Sequence, residues 1–551
     1  MELKRRNGMY IEMLLSSIAG LGLFLYGMNL MANGLQKVAG NKLKGFIKTL
    51  TKNRFMAVMV GMFVTMVIQS SSATSVLVVG FVNASIMTVS QAIGILFGAN
   101  IGTTITGQMV SLNLSQVAPL AIAGGLILRA TTKNNQLKDL AEILIGFGIL
   151  FLGINYLKDS LSPLKDSPAF ANLIFNYGDN PVIGVLIGIL MTLILQSSSA
   201  TIGVLIALAS QGILPFATAL YIIFGDNIGT CTTAVISSLG TSNRGKQVAL
   251  IHVTIKVIGT VYFMLFLQGI LTDIVQQIDP DNIPRQIANA HTIFNVLNVI
   301  VLFPFANYIV KFAEWVLPDD TDVEESYEFR SYLDPLILVT PSIALKNTLY
   351  EFISMATEAN KTIRYATTAI KNRDKDYVQK AYDSEERVNH FEKSIVEYLV
   401  QISQQNVSSE DLMVIDELFN TANDIERISD HAENIADFAN ALIDKGIMLD
   451  DEVKEELDYV FDLVYRGYSF AIDALSTGDM KKVAEVVEIE REIDRLKITI
   501  RDKHMKRMHK GQASPESGVF VMDLLSNLER ISDHFRNIAE TVKKLAPDMI
   551  G

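Results

Sequence analysis

The polar run Gln69-Ser70-Ser71-Ser72-Ala73-Thr74-Ser75 interrupts an apolar stretch, and it recurs as Gln196-Ser197-Ser198-Ser199-Ala200-Thr201-Ile202, 127 positions later. Hydroxyl and backbone groups inside a membrane need polar partners, so such a run persists mainly where it lines a cavity or a binding site. The alternative is a seam of small residues along which helices pack. Because the run occurs twice, we favour one pseudo-symmetric site made of two half-sites.

The composition is that of a membrane protein with a soluble appendage. The chain has 551 residues, of which 49% are hydrophobic and 19% charged, and it is too long for one domain. A net charge of -12 argues against a nucleic-acid partner. Cys231 is the only cysteine, which excludes an intramolecular disulfide. Lys4-Arg5-Arg6 precedes an apolar run at 11–35, which predicts a retained span that starts in the cytoplasm. We therefore expect a multi-pass protein in the lipid bilayer of the plasma (inner) membrane.

The apolar segments predict an all-α membrane domain with interrupted helices. They lie at 11–35, 55–87, 92–110, 117–128, 140–157, 182–214, 217–239, 248–271 and 287–317. On either side of each Gln-Ser-Ser-Ser run the segments are shorter than the ~20 residues that a full span needs, so we predict broken helices or hairpins there. Basic residues crowd positions 37–54, which we interpret as a loop.

The duplication extends beyond the opening motif. Gly98-Ala99-Asn100-Ile101-Gly102-Thr103-Thr104 matches Gly225-Asp226-Asn227-Ile228-Gly229-Thr230-Cys231, again 127 positions apart, and Gly27-Met28-Asn29 matches Gly153-Ile154-Asn155. Three blocks in one order indicate a repeated module, with repeat 1 at about 11–135, repeat 2 at about 138–271 and an extra helix at about 287–317 within a domain at 1–318. We expect inverted repeats, although the sequence leaves the number of crossings per repeat open.

The residue types of these blocks suit a small anion and alkali cations. Hydroxyls donate to anionic oxygen and accept around sodium, and a helix that starts inside the membrane offers free N–H groups to an anion. Asp226 replaces Ala99 of the first repeat and is either a cation ligand or a residue at a wet loop end. His252, Lys256 and His291 are interpreted as lateral or interfacial residues. The candidate sodium ligands are Thr74, Asn100, Thr103, Thr104, Thr201, Asp226, Asn227, Thr230 and Thr232.

These motifs resemble the type II sodium/phosphate cotransporters, whose hallmark is a pair of Gln-Ser-Ser-Ser repeats. The resemblance covers about residues 20–306. It implies uptake of phosphate driven by sodium through alternating access, with no further cofactor. It also implies that the phosphate and sodium sites are lined by Gln69, Ser70, Ser71, Ser72, Gln196, Ser197, Ser198 and Ser199.

A second, soluble domain follows an acidic linker at 319–341. Residues 342–551 are rich in charge, with apolar residues at helical spacing. Glu426-Arg427-Ile428-Ser429-Asp430-His431 is identical to Glu529-Arg530-Ile531-Ser532-Asp533-His534. We predict two homologous bundles of three helices each.

Carboxylates one helical turn apart suggest a metal site in each bundle. Glu426 with Asp430 and Glu529 with Asp533 lie on one helix face each, where they repel unless a cation lies between them. Facing pairs would come from Glu490 with Asp494 and from Glu385 with Asn389, giving oxygen ligands for magnesium, manganese or iron. The alternative is a solvated face neutralised by Arg427 and Arg530. This half resembles PhoU proteins, helical regulators of phosphate homeostasis with such motifs, which implies a cytoplasmic regulatory domain.

Three functions remain open at this stage. The first is a sodium-coupled phosphate importer with a metal-binding regulatory domain. The second is a membrane-tethered phosphate sensor whose helical domain binds a signalling protein, and the third is a transporter of another small oxyanion such as arsenate. No nucleophile elbow, P-loop or zinc-protease motif occurs, so we expect no enzyme activity. The sequence leaves the oligomeric state open.

Overall fold

The computed structural model describes residues 2–49, 53–84, 86–112, 114–178, 180–319, 331–405 and 407–545. Helices account for nearly all of these residues, and no strand occurs among them. The chain forms two compact units, a membrane unit of Met1–Arg330 with Asp334–Thr340 and a helical unit of Ser331–Leu333 with Pro341–Gly551. The acidic stretch 320–330 of the predicted linker lies outside the described residues.

The membrane unit consists of sixteen α-helices within the described ranges. They are α1 Glu2–Thr49, α2 Arg54–Ile68, α3 Ser71–Asn83, α4 Val89–Gly102, α5 Thr104–Ser111, α6 Ala118–Thr131, α7 Asn135–Leu161, α8 Pro168–Tyr177, α9 Pro181–Leu195, α10 Ser198–Ser210, α11 Phe216–Gly229, α12 Cys231–Ser238, α13 Asn243–Tyr262, α14 Gln268–Ile278, α15 Ile283–Leu302 and α16 Ala306–Val316.

Seven stretches of helix in the described residues are long and apolar enough to cross a membrane. Four further apolar helices are too short to cross it alone, namely α2 and α9 with 15 residues each and α3 and α10 with 13 residues each. These four helices flank the two Gln-Ser-Ser-Ser runs, which confirms the predicted broken helices.

The predicted loop at 37–54 is wrong for most of its length. Helix α1 continues to Thr49 before α2 begins at Arg54. Lysine and leucine favour helices, and two isolated glycines, Gly40 and Gly45, each cost only about 1 kcal/mol and do not end one. Lys37 of this extension contacts Glu142 of α7, with 2.8 Å between Nζ and Oε2.

Glycines at equivalent positions allow the same close helix crossing in both repeats. Helix α2 crosses α4 at Gly61, where a Cβ would lie 2.2 Å from the carbonyl oxygen of Ile95. Helix α9 crosses α11 at Gly188, where a Cβ would lie 2.1 Å from the carbonyl oxygen of Ile222. Small residues let membrane helices approach backbone to backbone, so the duplication in sequence is a duplication in packing.

The two repeats exchange packing partners. Helix α3 of the first repeat packs against α12 and α13, while α10 of the second packs against α5 and α15. Helix α13 therefore packs against α3 and α12 in the same way that α15 packs against α10 and α5. The helix expected near 287–317 is thus α15 followed by α16, and α15 is the counterpart of α13.

The helical unit is a tandem of three-helix bundles, as predicted. The first bundle contains α17 Pro341–Asn372, α18 Lys375–Ser403 and α19 Ser409–Asp444, and the second contains α20 Asp451–Thr477, α21 Met480–His509 and α22 Pro515–Thr541. Helices α19 and α22 pack against each other and join the bundles.

Part of the expected linker is ordered and belongs to the membrane unit. Residues Pro335–Val339 form a 3-10 helix that packs against α3. Asn83 Nδ2 at the end of α3 donates to Asp334 Oδ2 over 2.9 Å. We call Asp334–Thr340 the strap.

Candidate functional site

Each Gln-Ser-Ser-Ser run is the break between two helices. Gln69 ends α2 in the left-handed conformation with φ 57°, and Ser70 caps α3 by accepting a bond of 3.1 Å from the N–H of Ala73. In the second copy Gln196 has φ 50°, and Ser197 accepts from the N–H of Ala200 over 3.2 Å. Residues other than glycine rarely adopt positive φ, and such strain clusters at functional sites.

The breaks create two helix N-termini within the membrane unit. Helix α3 starts at Ser71 and α10 starts at Ser198. The first N–H groups of a helix have no partner within it, and the helix dipole is positive at this end. Both starting points therefore favour an anion.

Residues from the two repeats meet at these N-termini. The hydroxyl oxygens of Thr103 and Ser198 are 3.3 Å apart. Ser72 lines a cavity of about 80 Å³ together with residues of the second repeat, among them Thr192, Gln196, Thr230, Thr232 and Thr233. One water needs roughly 10–15 Å³ of such space, so this cavity has room for a small hydrated ion.

Two threonines that the sequence analysis missed support the breaks. Thr65 donates to the hydroxyl of Thr74 over 2.9 Å, and Thr192 is hydrogen-bonded to Thr201 over 3.2 Å. Thr65 and Thr192 are 127 positions apart, so extending the repeat alignment toward the amino terminus would have found them. All four side chains are almost fully buried.

The two glutamines differ although their backbones match. Gln69 is buried, accepts from the hydroxyl of Thr106 over 2.6 Å and donates to the carbonyl of Met66 over 2.5 Å. Gln196 is exposed and lines the cavity. The second half-site therefore presents its glutamine to a ligand more openly than the first.

The second pair of motif blocks lies at the opposite kind of helix end. Helix α4 ends at Gly102 and α11 ends at Gly229, so Asn100 and Asn227 lie in their last turns. The hydroxyls of three candidate threonines donate to carbonyls of the preceding turn, namely Thr104 to Ile101, Thr230 to Asn227 and Thr232 to Gly229. Helix C-termini favour cations, and the hydroxyl oxygens keep acceptor capacity.

Asp226 is fully buried within α11, so its alternative placement at a wet loop end is wrong. Thr192 donates to Asp226 Oδ1 over 2.6 Å. The neighbouring Asn227 accepts a bond of 2.7 Å from Lys256 Nζ.

Lys256, His252 and His291 are not lateral residues. Each is no more than 2% exposed, and they lie on α13 and α15 inside the membrane unit. Hydropathy cannot assign a side chain to the inner or outer face of a span, which is why their placement was wrong.

The carboxylates of the helical unit lie close together without forming a metal group. In the parts of the chain that the structure describes, no three His, Cys, Asp or Glu side chains are arranged to hold a metal ion. The metal ligands expected at Glu385, Glu426, Asp430, Glu490, Asp494, Glu529 and Asp533 are thus not supported.

Basic side chains already neutralise several of these carboxylates. Lys497 Nζ lies 2.8 Å from Glu529, and Arg536 lies 2.9 Å from Glu490. Arg427 lies 3.6 Å from Glu426 and 3.5 Å from Asp430. These contacts fit a face of carboxylates neutralised by basic residues better than a metal site. Lys497 and Arg536 reach their partners across the contact between α21 and α22, which the sequence did not predict.

Glu385 and Asp533 lie among other acids instead. Burial, together with nearby Glu433, Asp430 and Glu426, raises the pKa of Glu385 to about 7, although Asn389 donates to it over 2.5 Å. Burial and neighbouring acids also raise the pKa of Asp533.

Comparison with known proteins covers both units. The family model described as Na+/Pi-cotransporter matches residues 23–159 and 163–278, and the PhoU domain model matches residues 352–439 and 458–542. The uncharacterized protein YqeW of Bacillus subtilis is 31% identical over 305 residues, which cover 55% of this chain and 98% of that protein.

Two further relatives carry descriptive names. The putative inorganic phosphate export protein YjbB of Salmonella typhimurium is 22% identical over 535 residues, which cover 96% of this chain and 97% of that protein. The sodium-dependent phosphate transport protein 2B of Pongo abelii is 35% identical over 91 residues, which cover 16% of this chain and 13% of that protein.

Proposed function

The chain belongs to the Na+/Pi-cotransporter family and carries PhoU domains, and from this premise we propose that it is a sodium-coupled secondary active transporter of inorganic phosphate. The observation that carries the proposal is that residues of the two repeats meet at the broken-helix N-termini. Thr103 contacts Ser198 at the start of α10, and Ser72 at the start of α3 lines a cavity together with Gln196. The two repeats have inverted orientation in this proposal and alternate between the two sides of the membrane around the site. The chain acts as a transporter and not as an enzyme.

Phosphate binds at the helix N-termini in this proposal. Free N–H groups and serine hydroxyls can donate to all of its oxygens without a fixed positive charge, which permits release. The phosphate ligands are the two Gln-Ser-Ser-Ser runs, with Ser72 and Gln196 at the cavity. Another tetrahedral oxyanion, such as arsenate, would compete for the same groups.

Sodium binds at the C-terminal ends of α4 and α11. The block around Asn100 and the block around Asn227 supply carbonyl, amide and hydroxyl oxygens, which suit a hard cation. Thr74 and Thr201 donate to the backbone carbonyls of Ser70 and Ser197. Thr201 is also hydrogen-bonded to Thr192, which donates to Asp226. The sodium-dependent relative supports this coupling ion.

An inward sodium gradient would make the transporter an importer. The relative named as a putative phosphate export protein, matched over nearly its whole length, favours outward transport as the second candidate. Secondary transport runs in the direction set by the combined gradients of phosphate and the coupling ion. An importer and an exporter therefore use the same phosphate site and differ in how phosphate movement is coupled to the ion.

Flux in liposomes tests the proposal. The purified full chain is reconstituted, and labelled phosphate uptake is measured with inward sodium, inward potassium and outward sodium. We expect accumulation with inward sodium, and its loss in Ser71→Ala with Ser198→Ala. The matched control is Ser160→Ala on α7, whose hydroxyl contacts Ser17 away from the site. Phosphate binding without flux under any gradient would instead support a sensor.

The helical unit regulates transport through the strap and faces the cytoplasm. The strap packs on α3, the helix whose first residue is Ser71. A Cβ on Gly80 of α3 would lie 3.1 Å from Ile337 Cγ1, so this contact is close. Movement of the strap would therefore shift one of the two phosphate-binding helix ends.

Variants of the full chain test this coupling. Asn83→Ala removes the bond to Asp334, and we expect uptake to become insensitive to phosphate loaded inside the liposomes. Asn135→Ala, at an exposed asparagine that begins α7, serves as the control. Unchanged sensitivity in Asn83→Ala would show that the strap does not transmit regulation.

A further inference from the structure

Helices α13 and α15 share a sequence pattern in addition to their matching places in the fold. His252-Val-Thr-Ile-Lys256-Val on α13 aligns with His291-Thr-Ile-Phe-Asn295-Val on α15, 39 positions later. Both helices also pack against both α4 and α11. Lys256 and Asn295 therefore occupy equivalent positions in the two halves of the membrane unit.

In the second half, Lys256 has a defined partner. Its Nζ donates to Asn227 Oδ1 over 2.7 Å, and Asn227 Nδ2 donates to the carbonyl of Ile223 over 3.2 Å. Lys256 is 1% exposed and lies beside the last turn of α11, next to buried Asp226. A fixed cation thus occupies this helix C-terminus.

In the first half, the equivalent residues are Asn295 and Asn100. Asn295 Nδ2 donates to the carbonyl of His291 over 2.9 Å. Within the described residues neither Asn100 Oδ1, Asn100 Nδ2 nor Asn295 Oδ1 has a hydrogen-bond partner, although both side chains are fully buried. A buried amide without partners costs about 1–3 kcal/mol. Two amide oxygens near a helix C-terminus match the ligand type of a hard monovalent cation.

The remaining difference between the halves concerns charge. The second half has Asp226 and Lys256 where the first has Ala99 and Asn295. A carboxylate and an ammonium have been added together, so the formal charge of the protein at the two places is equal. Ala99 and Asn295 carry no charge, so a cation at the place equivalent to the Lys256 ammonium would be a bound ion.

We infer that Lys256 is a built-in cation at the second of two equivalent cation sites, and that the first site, formed by Asn100 and Asn295, takes a sodium ion. The inference rests on the proposed sodium coupling and narrows it: of the two helix ends proposed for sodium, the α4 end binds the ion and the α11 end is filled by Lys256. Sodium binds at the first site, at the end of α4. At the second site the ammonium of Lys256 takes the place of the ion and holds the end of α11 as a bound cation would. Lys256 and Asn295 thereby determine how many sodium ions accompany each phosphate.

Equilibrium binding of ²²Na⁺ to the purified full chain, without phosphate or a gradient, tests the inference. We expect Asn100→Ala and Asn295→Ala to weaken sodium binding by about tenfold or more, because each removes an oxygen that contacts the ion. Lys256→Asn should add one bound sodium per chain, and Asn295→Lys should remove one. Asn135→Ala, at the exposed start of α7, is the matched control.

A second readout of sodium binding is the melting temperature in sodium chloride minus that in choline chloride. It serves for any variant that is partly unfolded without sodium. Wild-type binding in a monodisperse Asn100→Ala protein, or no added sodium in Lys256→Asn, would overturn the inference. Phosphate flux that needs no sodium would overturn it but leave the phosphate site intact. The expected binding pattern without any phosphate flux would overturn the proposed function alone.

Discussion

In the first repeat the break between helices buries its glutamine against Thr106, whereas in the second repeat the equivalent glutamine faces a cavity. The backbone is the same at both places, with a left-handed residue at φ 57° or 50° and a capping serine after it. The buried charges of Asp226 and Lys256, by contrast, lie in the second half, where the first half has Ala99 and Asn295. Duplication has preserved the backbone of the break, while the charge and exposure of its surroundings have diverged.

The two bundles of the helical unit likewise share their backbone and differ in the charges around equivalent residues. Glu385 of the first bundle lies among other acids, while Glu490 of the second contacts Arg536. The helices of the two bundles match in number and order. In both units the two copies agree in backbone and differ in electrostatics.

The largest effect should come from the shared backbone. Gly61→Ala and Gly188→Ala each place a Cβ about 2 Å from a carbonyl oxygen of the crossing helix, a clash that no rotamer relieves. We expect both variants to lose the monodisperse folded peak in size-exclusion chromatography. Gly124→Ala, where a Cβ meets nothing within 4 Å, should fold like the wild type. If only one crossing glycine were intolerant, the packing would not be duplicated.

The next effect concerns the charge that only the second repeat carries. Asp226→Ala leaves Lys256 buried without its nearby carboxylate and takes an acceptor from Thr192, at a cost of about 3–5 kcal/mol. Asp226→Ala with Lys256→Asn rebuilds the residue pair of the first repeat and should recover about 1–3 kcal/mol of coupling. Melting temperatures in detergent for the two single variants and the double variant measure this. Additive losses would mean that the two charges were not acquired together.

The sequence predicted the shared backbone well and the differences poorly. A polar run repeated inside apolar segments indicates a helix break wherever it occurs, so the starts of α3 and α10 followed from pattern alone. The inward position of Lys256 did not, because a lysine in an apolar segment reads the same on either face of a helix. The alignment of His252 with His291 was visible in the sequence and would have exposed it.

In the helical unit the sequence did not predict which side chains meet between neighbouring helices. The carboxylate spacing within α19 and α22 was readable, but Lys497 on α21 reaches Glu529 only through the packing of α21 on α22. Charge pairs within one helix follow from i, i+4 spacing, whereas pairs between helices need the register of the bundle. The metal site was expected because only the first kind of information was available.

A smaller effect separates the two glutamines. Gln69→Ala should destabilise the protein by about 1–2 kcal/mol, because it strands the buried hydroxyl of Thr106. Gln196→Ala should leave the melting temperature nearly unchanged and raise the KM for phosphate, because its side chain faces the cavity. Thermal melting and uptake kinetics on both variants give the two readouts. Equal effects on stability would contradict the difference in burial.

The smallest effect is a dependence on pH in the first bundle. Because the pKa of Glu385 is raised to about 7, the folded state holds a proton that the unfolded chain releases near pH 4.3. Stability is therefore lost as pH rises between these two values and is retained below them. Glu385→Gln should raise stability by about 1 kcal/mol at pH 8 and change it little at pH 5. Thermal unfolding of the full chain, followed by circular dichroism, measures this, with the exposed neighbour variant Glu386→Gln as control.

Glu490→Gln should act in the opposite direction at pH 8, because it removes the partner of Arg536. The same sign in both bundles would mean that the two copies share their electrostatics after all.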